Sequence, residues 1–227
     1  MKTAIILVGN IRTWDTCKQS FINTFRDLNA DIFITTYDIK YSYTWGGHLS
    51  GEDYILNEHE IKQCVSDLNV KSILIENTEY INGLVDIEQP KWYHPNLPEV
   101  WFKSAYSQYR KIKTGLDLMV EYENSNDIKY DCVIKTRFDI THNPINFVDL
   151  KSNVIIGSCT TPPTDCIIIS NRDNVINITD FAINEFYNPI YENSWERPPH
   201  VLLENAVKNS NLNFDVQDIC QLVRQNV

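Results

Sequence analysis

The chain has 227 residues, which is long for one domain but within its range, and its hydrophobic fraction of 43% allows a core of ordinary size. A charged fraction of 22% is typical of soluble globular proteins. The net charge of −10 argues against nucleic acid or an anionic membrane as the main partner, because those partners need basic patches.

The cysteines and the apolar runs bear on the compartment. Six cysteines form no C-x-x-C motif and no Cys/His cluster, so we predict a reduced chain without a zinc site. The start M-K-T-A-I-I-L-V mimics a signal peptide, but its apolar run is only five residues and polar residues follow at once. No later run approaches membrane-spanning length, so we predict a soluble, cytoplasmic protein.

The first elements form a strand-turn-helix-strand pattern. Ala4 to Val8 is typical of a buried strand, Thr13 is a candidate cap for the helix that follows, and Asp31 to Tyr37 is a second strand. This order predicts a parallel pair of strands. The turn between strand and helix lacks the G-x-G-x-x-G dinucleotide fingerprint, yet Gly9 and Arg12 could contact a phosphate there. The alternative is that Arg12 is an ordinary surface residue.

A long loop follows the second strand. Residues 38 to 54 are rich in Tyr, Gly and Ser and show no periodicity, which predicts a functional loop. Tyr37, Asp38 and the aromatic residues up to Trp45 are candidates for holding a nucleotide base or a sugar. Asn57 is then predicted to cap a helix with Glu60 in a capping box, and a third strand is predicted from 72 to 76.

The longest helix is predicted from Glu99 to about Asn124, with an apolar face at helical spacing. Lys103, Gln108 and Lys111 on this helix are expected to face solvent. It leads into the segment I-K-Y-D-C-V-I-K-T-R-F-D-I, residues 128 to 140, which begins as a strand and ends in charged residues.

The charged end of this central strand is a candidate binding site. If the extended conformation persists, Val133, Lys135, Arg137 and Asp139 share one side, since side chains alternate along a strand. In open α/β sheets, ligands bind beyond the carboxyl ends of the strands. Two cations and one carboxylate suit a phosphorylated ligand, with the carboxylate able to hold a divalent metal. The alternative is a solvated edge with no ligand.

The last third is predicted to contain four more strands and two helices. The strands are expected at 153 to 157, 165 to 170, 213 to 216 and 219 to 223, and the helices at 172 to 186 and from Pro198 to Val207. Neither an internal repeat nor a linker divides the chain, so a single domain is predicted.

Five segments resemble those of a known family, in the same order along nearly the whole chain. They are I-L-V-G-N-I-R-T-W, A-D-I-F-I-T-T-Y, K-Y-D-C-V-I-K-T-R-F-D, T-D-C-I-I-I-S-N-R-D-N-V and P-P-H-V-L-L-E. The chain resembles GT-A glycosyltransferase-type proteins encoded in surface-polysaccharide loci of bacteria and in large DNA viruses. This resemblance implies one Rossmann-like α/β domain over residues 1–227, with a mostly parallel sheet flanked by helices.

The resemblance also implies that R-F-D, with Arg137 and Asp139, stands where these enzymes carry a D-x-D motif. Those carboxylates hold Mn²⁺ or Mg²⁺, which neutralises the charge that develops on the leaving diphosphate. Here Arg137 replaces the first Asp. One carboxylate can still hold such an ion together with phosphate oxygens and water. The alternative is that Arg137 contacts the phosphate directly.

Further roles follow from the resemblance. Asp165 heads the strand that borders the acceptor pocket in similar proteins and is the candidate general base. His200 stands where similar proteins have a Pro-Glu pair, and could be a metal ligand or phosphate contact. Lys135 and Arg224 are candidates for binding the diphosphate. The alternatives are a turn carboxylate for Asp165, an ordinary helix-start residue for His200 and a solvated tail for Arg224.

The resemblance therefore predicts a transferase that uses a nucleotide-diphosphate sugar as donor and a glycan or lipid-linked molecule as acceptor. It would act in the cytoplasm, or in the host cytoplasm if the protein is viral. One alternative is a nucleotide-sugar or glycan-binding module without catalysis, since the first Asp of D-x-D is missing. The other is a sugar nucleotidyltransferase, which is disfavoured because a glycine-rich phosphate loop is absent after the first strand.

Overall fold

The computed structural model describes residues 1–11, 13–40, 54–77, 99–157, 166–187 and 199–222, and every structural statement refers to these ranges. Residues 39–40, 54, 99–106, 186–187 and 199–201 are described by their backbone alone. The predicted functional loop and the segment from 78 to 98 thus lie largely outside the described residues.

Strands and helices follow one another much as the periodicities predict. The helices are α1 (Trp14–Phe25), continued by a 3₁₀ turn (Arg26–Leu28), α2 (Glu58–Cys64), α3 (Glu99–Asn126), α4 (Arg172–Tyr187) and α5 (Pro199–Asn209). The strands are β1 (Thr3–Val8), β2 (Asp31–Tyr37), β3 (Ile39–Lys40), β4 (Tyr54–Ile55), β5 (Val70–Glu76), β6 (Cys132–Arg137), β7 (Ile140–His142), β8 (Asn153–Gly157), β9 (Ile167–Asn171), β10 (Asn213–Gln217) and β11 (Cys220–Leu222).

A seven-stranded sheet organises the described part of the chain, in the order β10-β8-β9-β6-β1-β2-β5. Neighbouring strands pair in parallel except at β9, which is antiparallel to both β6 and β8. The prediction of an α/β fold with a mostly parallel central sheet is confirmed, as is the parallel pairing of β1 with β2. Two small antiparallel ladders, β7 with β11 and β3 with β4, lie outside this sheet.

The core consists of two apolar layers because successive side chains of each strand point to opposite faces of the sheet. In β1, Ile6 belongs to the layer that α3, α4 and α5 cover, whereas Ile5 and Leu7 belong to the layer of α1 and α2. All three side chains are at most 1% exposed. Such burial on both faces explains why β1 is a continuous apolar run in the sequence.

The starts of the first two helices differ in how they are capped. Asn57 and Glu60 form the predicted capping box, with the Asn57 side chain accepting from the Glu60 N–H at 2.9 Å and Glu60 accepting from the Asn57 N–H at 2.8 Å. Thr13 precedes α1 as predicted, but its side chain makes no capping hydrogen bond. Its hydroxyl instead contacts the Cys17 thiol at 4.0 Å, and its carbonyl accepts the Cys17 N–H.

Helix α3 lies unusually close to the sheet at Gly115. The Thr35 hydroxyl of β2 donates to the Lys111 carbonyl at 2.9 Å. One turn further along the helix, a Cβ added at Gly115 would overlap the Ile6 side chain of β1. Glycine is required here by the close approach of the helix to β1, and the backbone of α3 is thereby fixed over β1 and β2.

We expect Gly115→Ala to lower the free energy of unfolding by about 1–3 kcal/mol, the usual cost of overpacking a core. Helix propensity alone would favour the opposite result, because alanine is the better helix former by about 1 kcal/mol. Urea denaturation measures the difference. Glu121→Ala, at an exposed position of the same helix, is the control and should change stability by less than about 0.5 kcal/mol. A Gly115→Ala protein more stable than wild type would contradict the close approach.

Candidate functional site

The carboxyl ends of β1, β2, β5 and β6 meet at one edge of the sheet. Val8, at the end of β1, lies opposite Thr35 of β2 and Arg137 of β6, and Tyr37 lies opposite Glu76 of β5. The chain continues from β1 to β2 on one side of β1, whereas β6 borders its other side. The crevice between β1 and β6 is therefore a topological switch point, where ligands bind in open α/β sheets.

The turn after β1 is fixed to β2 through Gly9. The Gly9 N–H donates to the Thr35 carbonyl at 3.2 Å, and the Gly9 carbonyl accepts from the Thr36 hydroxyl at 2.8 Å. The φ of Gly9 is +105°, a region that favours glycine, and a Cβ added there would meet no described atom within 4 Å. Among the described residues, no side chain therefore covers Gly9 at the switch point, and Arg12 lies outside these residues.

The R-F-D segment does not continue the strand. β6 ends at Arg137, a turn covers Phe138 and Asp139, and β7 begins at Ile140. The expectation that Asp139 shares a side with Val133 through a persisting strand is therefore wrong. The turn instead folds the Asp139 carboxylate back onto the guanidinium two residues earlier.

Arg137 and Asp139 form a bidentate ion pair. Arg137 Nε donates to Oδ1 of Asp139 and Nη2 donates to Oδ2, both at 2.7 Å. The Asp139 side chain is 4% exposed and the Arg137 side chain 25%. On its buried side Asp139 lies near α1, where its charge helps burial to raise the pKa of the Cys17 thiol. Asp139 is thus enclosed, and Arg137 is the partner that reaches the surface.

The contacts of Asp139 do not fit a metal ligand. Both of its carboxylate oxygens accept from Arg137, and a cation placed there would lie against a guanidinium charge. In the ranges that the structure describes, no three His, Cys, Asp or Glu side chains are grouped so that they could hold an ion. Asp139 as a metal ligand stays a prediction, and so does His200, whose backbone belongs to α5 but whose side chain is outside the described part.

Lys135 lies inside the sheet and not at its edge. It is 0% exposed and faces Ile6 of β1 and Ile168 of β9 across the ladder. Its role in binding a diphosphate stays a prediction, and the burial of its side chain does not favour contact with a diphosphate. Of the three charged groups expected at the end of β6, Arg137 and Asp139 form an ion pair, and Lys135 is buried within the sheet.

A second charged cluster lies at the ends of β2 and β5. The Lys111 ammonium donates to Glu76 Oε2 at 2.7 Å and lies 3.2 Å from the centre of the Tyr37 ring. The Tyr37 hydroxyl is hydrogen-bonded to Ser107, and Arg110 Nε is 3.9 Å from Glu76. Burial lowers the pKa of Lys111 to about 8, against the opposing effect of Glu76.

The expectation that Lys111 faces solvent is wrong, because the residue is 1% exposed. Gln108 is half-buried, and its Nε2 is a buried atom without a hydrogen-bond partner among the described residues. The Lys103 side chain is not among those described. Gly115, four residues after Lys111, was the signal in the sequence that this side of α3 meets the sheet closely.

Backbone hydrogen bonds hold Asp38 at the same end of the sheet. Its N–H donates to the Glu76 carbonyl at 3.1 Å, and its carbonyl accepts from the Leu56 N–H at 2.8 Å. Its carboxylate is near enough to Lys111 to raise the pKa of that lysine in opposition to burial. Tyr37 and Asp38 are thus brought together with Glu76, which the sequence analysis did not single out, and with Lys111, which was expected to face solvent.

The remaining predicted site residues are not placed. Asp165 and Arg224 lie outside the described residues. Because β9 runs antiparallel to β6, the chain enters β9 at the edge where β6 ends, and Asp165 precedes β9 by two residues in the sequence. The assignments of Asp165 and Arg224 stay predictions.

A buried histidine lies beneath the β6–β7 turn. His142 Nε2 is hydrogen-bonded to the Thr136 hydroxyl at 2.8 Å, and its ring packs edge-on against Phe21 and Phe25. Its Nδ1 has no hydrogen-bond partner among the described residues. Burial lowers the pKa of His142 to about 3, so the ring is neutral at neutral pH.

We expect stability to fall as pH falls below about 6.5, because the unfolded chain then binds a proton at His142 that the folded chain excludes. The slope from this group approaches 1.4 kcal/mol per pH unit between its unfolded and folded pKa values. Urea denaturation of wild type and His142→Gln at pH 7.0 and 5.5 measures it. The exposed His59→Gln is the control and should retain the wild-type slope. Equal slopes in wild type and His142→Gln would contradict the buried neutral ring.

Comparisons with known proteins give structural likeness without sequence matches. No protein-family model matches the chain, and no curated protein matches it. The chain is similar to the galactosyltransferase LgtC in complex with donor and acceptor sugar analogs, with 8% identity and a TM-score of 0.49 over 93% of this chain and 72% of that one. It is also similar to the apo-form glycosyltransferase GlyE of Streptococcus pneumoniae TIGR4, with 13% identity and a TM-score of 0.49 over 95% of this chain and 45% of that one.

None of the described helices combines the length and the apolar character that crossing a membrane demands.

Proposed function

We propose that this chain transfers a sugar from a nucleotide-diphosphate donor to a hydroxyl group of a glycan or lipid-linked acceptor. One observation carries the proposal: the R-F-D turn and the Gly9 turn flank the switch point between β1 and β6. Support also comes from the five ordered segments, which resemble those of GT-A glycosyltransferases and align R-F-D with their diphosphate-binding motif.

The residues at the edge divide into two groups under this proposal. Gly9 and Arg137 would face the diphosphate, joined by Arg12 and Arg224. Tyr37 and Asp38, at the end of β2, would lie toward the base or the sugar, where the aromatic loop to Trp45 begins. This arrangement suits a nucleotide laid across the carboxyl ends of β1, β2 and β6.

The proposed reaction needs one base and a stabilised leaving group. The acceptor oxygen bonds to the anomeric carbon of the donor sugar, and the bond from that carbon to the diphosphate oxygen breaks. The nucleoside diphosphate leaves with the electron pair, while a carboxylate takes the proton of the acceptor hydroxyl. Asp165 is our candidate for this base, and Arg137 would stabilise the charge that develops on the diphosphate.

A binding module without catalysis is the second candidate function. It is favoured by the ion pair of Arg137 with Asp139, which occupies the segment where D-x-D enzymes have two carboxylates. A module of this kind would bind the donor at the same crevice but would release no nucleoside diphosphate.

A thermal-shift panel of nucleoside diphosphates and nucleotide sugars tests whether the crevice binds donors. A ligand that binds only the folded state at 100 times its Kd adds about 2.7 kcal/mol to stability. For a chain of this size each kcal/mol raises Tm by roughly 2–4 °C, so a cognate nucleotide should raise Tm by several degrees. Inorganic phosphate is the control ligand. No shift with any nucleotide would contradict both candidate functions.

A further inference from the structure

The ion pair at the end of β6 has a consequence for how a diphosphate would be held. Each oxygen of Asp139 already accepts a charge-assisted hydrogen bond from Arg137, so a divalent metal bound by the remaining lone pairs would lie next to the guanidinium. The two positive charges would then repel each other. The pair is therefore organised against a metal at this position.

Arg137 is placed to contact an anion directly. It is the last residue of β6, opposite Val8 of β1, and a quarter of its side chain is exposed. A guanidinium has five N–H donors in a rigid fork that matches phosphate, so a carboxylate partner does not exhaust its ability to bind a second anion. Lysine offers the same charge without the fork.

Asp139 is placed to orient that guanidinium. Its side chain is 4% exposed, lies within the β6–β7 turn and accepts from Nε and Nη2 of Arg137 at 2.7 Å each. A side chain that is already ordered loses less conformational freedom when a ligand binds. The enclosed carboxylate thus fixes the plane and direction of the Arg137 fork at the switch point.

We propose that Arg137, held by Asp139, binds the donor diphosphate in place of a divalent metal. Arg137 is the contacting residue and Asp139 is a positioning residue. This inference rests on the proposed function, because it concerns the same crevice and the same ligand. It departs from the D-x-D chemistry that the resemblance implies, since the cation at this position belongs to the protein.

Isothermal titration of the full chain with UDP, GDP, CDP and ADP, each in Mn²⁺ and in EDTA, tests the inference. We expect wild type to bind its cognate nucleotide with equal Kd in both buffers. Arg137→Lys should weaken binding about 10- to 100-fold in both, the scale of losing hydrogen bonds to a charged group. Asp139→Asn should also weaken binding, and the fold-change in Kd should be the same in Mn²⁺ and in EDTA. Thermal melting of each variant shows that it is folded.

Three results would overturn the inference. Binding at least about tenfold tighter in Mn²⁺, with the gain lost in Asp139→Asn, would assign a metal to Asp139. An unchanged Kd in folded Arg137→Lys would show that the guanidinium of Arg137 does not bind the diphosphate. An unchanged Kd in Asp139→Asn would show that Asp139 does not position Arg137 for binding. In all three cases the nucleotide still binds, so the proposed function survives. If wild type bound no nucleotide in Mn²⁺ and none in EDTA, the inference and the proposed function would both be rejected.

Discussion

Glu76→Ala is expected to lower the free energy of unfolding by about 3–5 kcal/mol, because it leaves a buried ammonium without its carboxylate partner. The side chains of Lys111 and Glu76 are 2% and 8% exposed, and the 2.7 Å bond between them joins α3 to the end of β5. Without the Glu76 carboxylate, its attraction no longer offsets the desolvation of the buried Lys111 ammonium. The pKa of Lys111 should therefore fall below its already lowered value of about 8.

Two further variants show whether the expected loss of stability is due to the burial of the Glu76–Lys111 pair. Glu204→Ala removes the carboxylate of the exposed pair with Lys208, and its cost should stay within about 1 kcal/mol. The double variant Glu76→Leu/Lys111→Met should recover most of the lost stability, since an apolar pair needs no charge compensation. Urea denaturation measures all three. A Glu76→Ala protein as stable as wild type would show that Lys111 is solvated.

Asp165→Asn is expected to reduce turnover by about 10²–10⁴-fold while donor affinity stays nearly unchanged, the usual contribution of a general base. The substitution keeps the size of the side chain and removes its basicity. Asp165 is the candidate because it comes two residues before β9, which starts beside the carboxyl end of β6. A carboxylate that binds the acceptor proton affects the chemical step and not the binding of the donor.

Asp127→Asn is the matched control, because it makes the same chemical change at an exposed position after α3 with a φ of +51°, a conformation that asparagine tolerates well. It should retain full turnover. If Asp165→Asn instead lost donor affinity, Asp165 would belong to the nucleotide site. If it kept full turnover, the base would be another residue or the reaction would retain configuration by a different route.

The elements that carry local signals were predictable from the sequence. The apolar run of β1, the helical spacing of α3 and the Asn57–Glu60 capping box each depend on residues within a few positions of one another. The position of the candidate site at one edge of the sheet could be predicted from the order of these elements, because the carboxyl ends of parallel strands lie together. Gly9, Tyr37, Asp38 and Arg137 lie at one edge of the sheet, and their roles in binding stay predictions.

Contacts between distant residues were not predictable in the same way. Lys111 is buried because its partner Glu76, 35 residues earlier, ends a neighbouring strand, and no spacing along α3 reveals that contact. The turn after Arg137 could not be distinguished from a continuing strand, since alternation along K-T-R-F-D fits both. The sequence showed that Arg137 replaces the first Asp of D-x-D, but the pairing of Asp139 with Arg137 follows only from that turn.

A product assay shows whether the chain transfers sugar. Purified protein is incubated with each nucleotide sugar that raises its Tm, together with a panel of glycan and lipid-linked acceptors. Released nucleoside diphosphate and the extended acceptor are then quantified by mass spectrometry. We expect equal amounts of both products with a cognate pair, in Mn²⁺ and in EDTA alike. Donor binding without release of nucleoside diphosphate across the whole panel would contradict sugar transfer and identify a binding module.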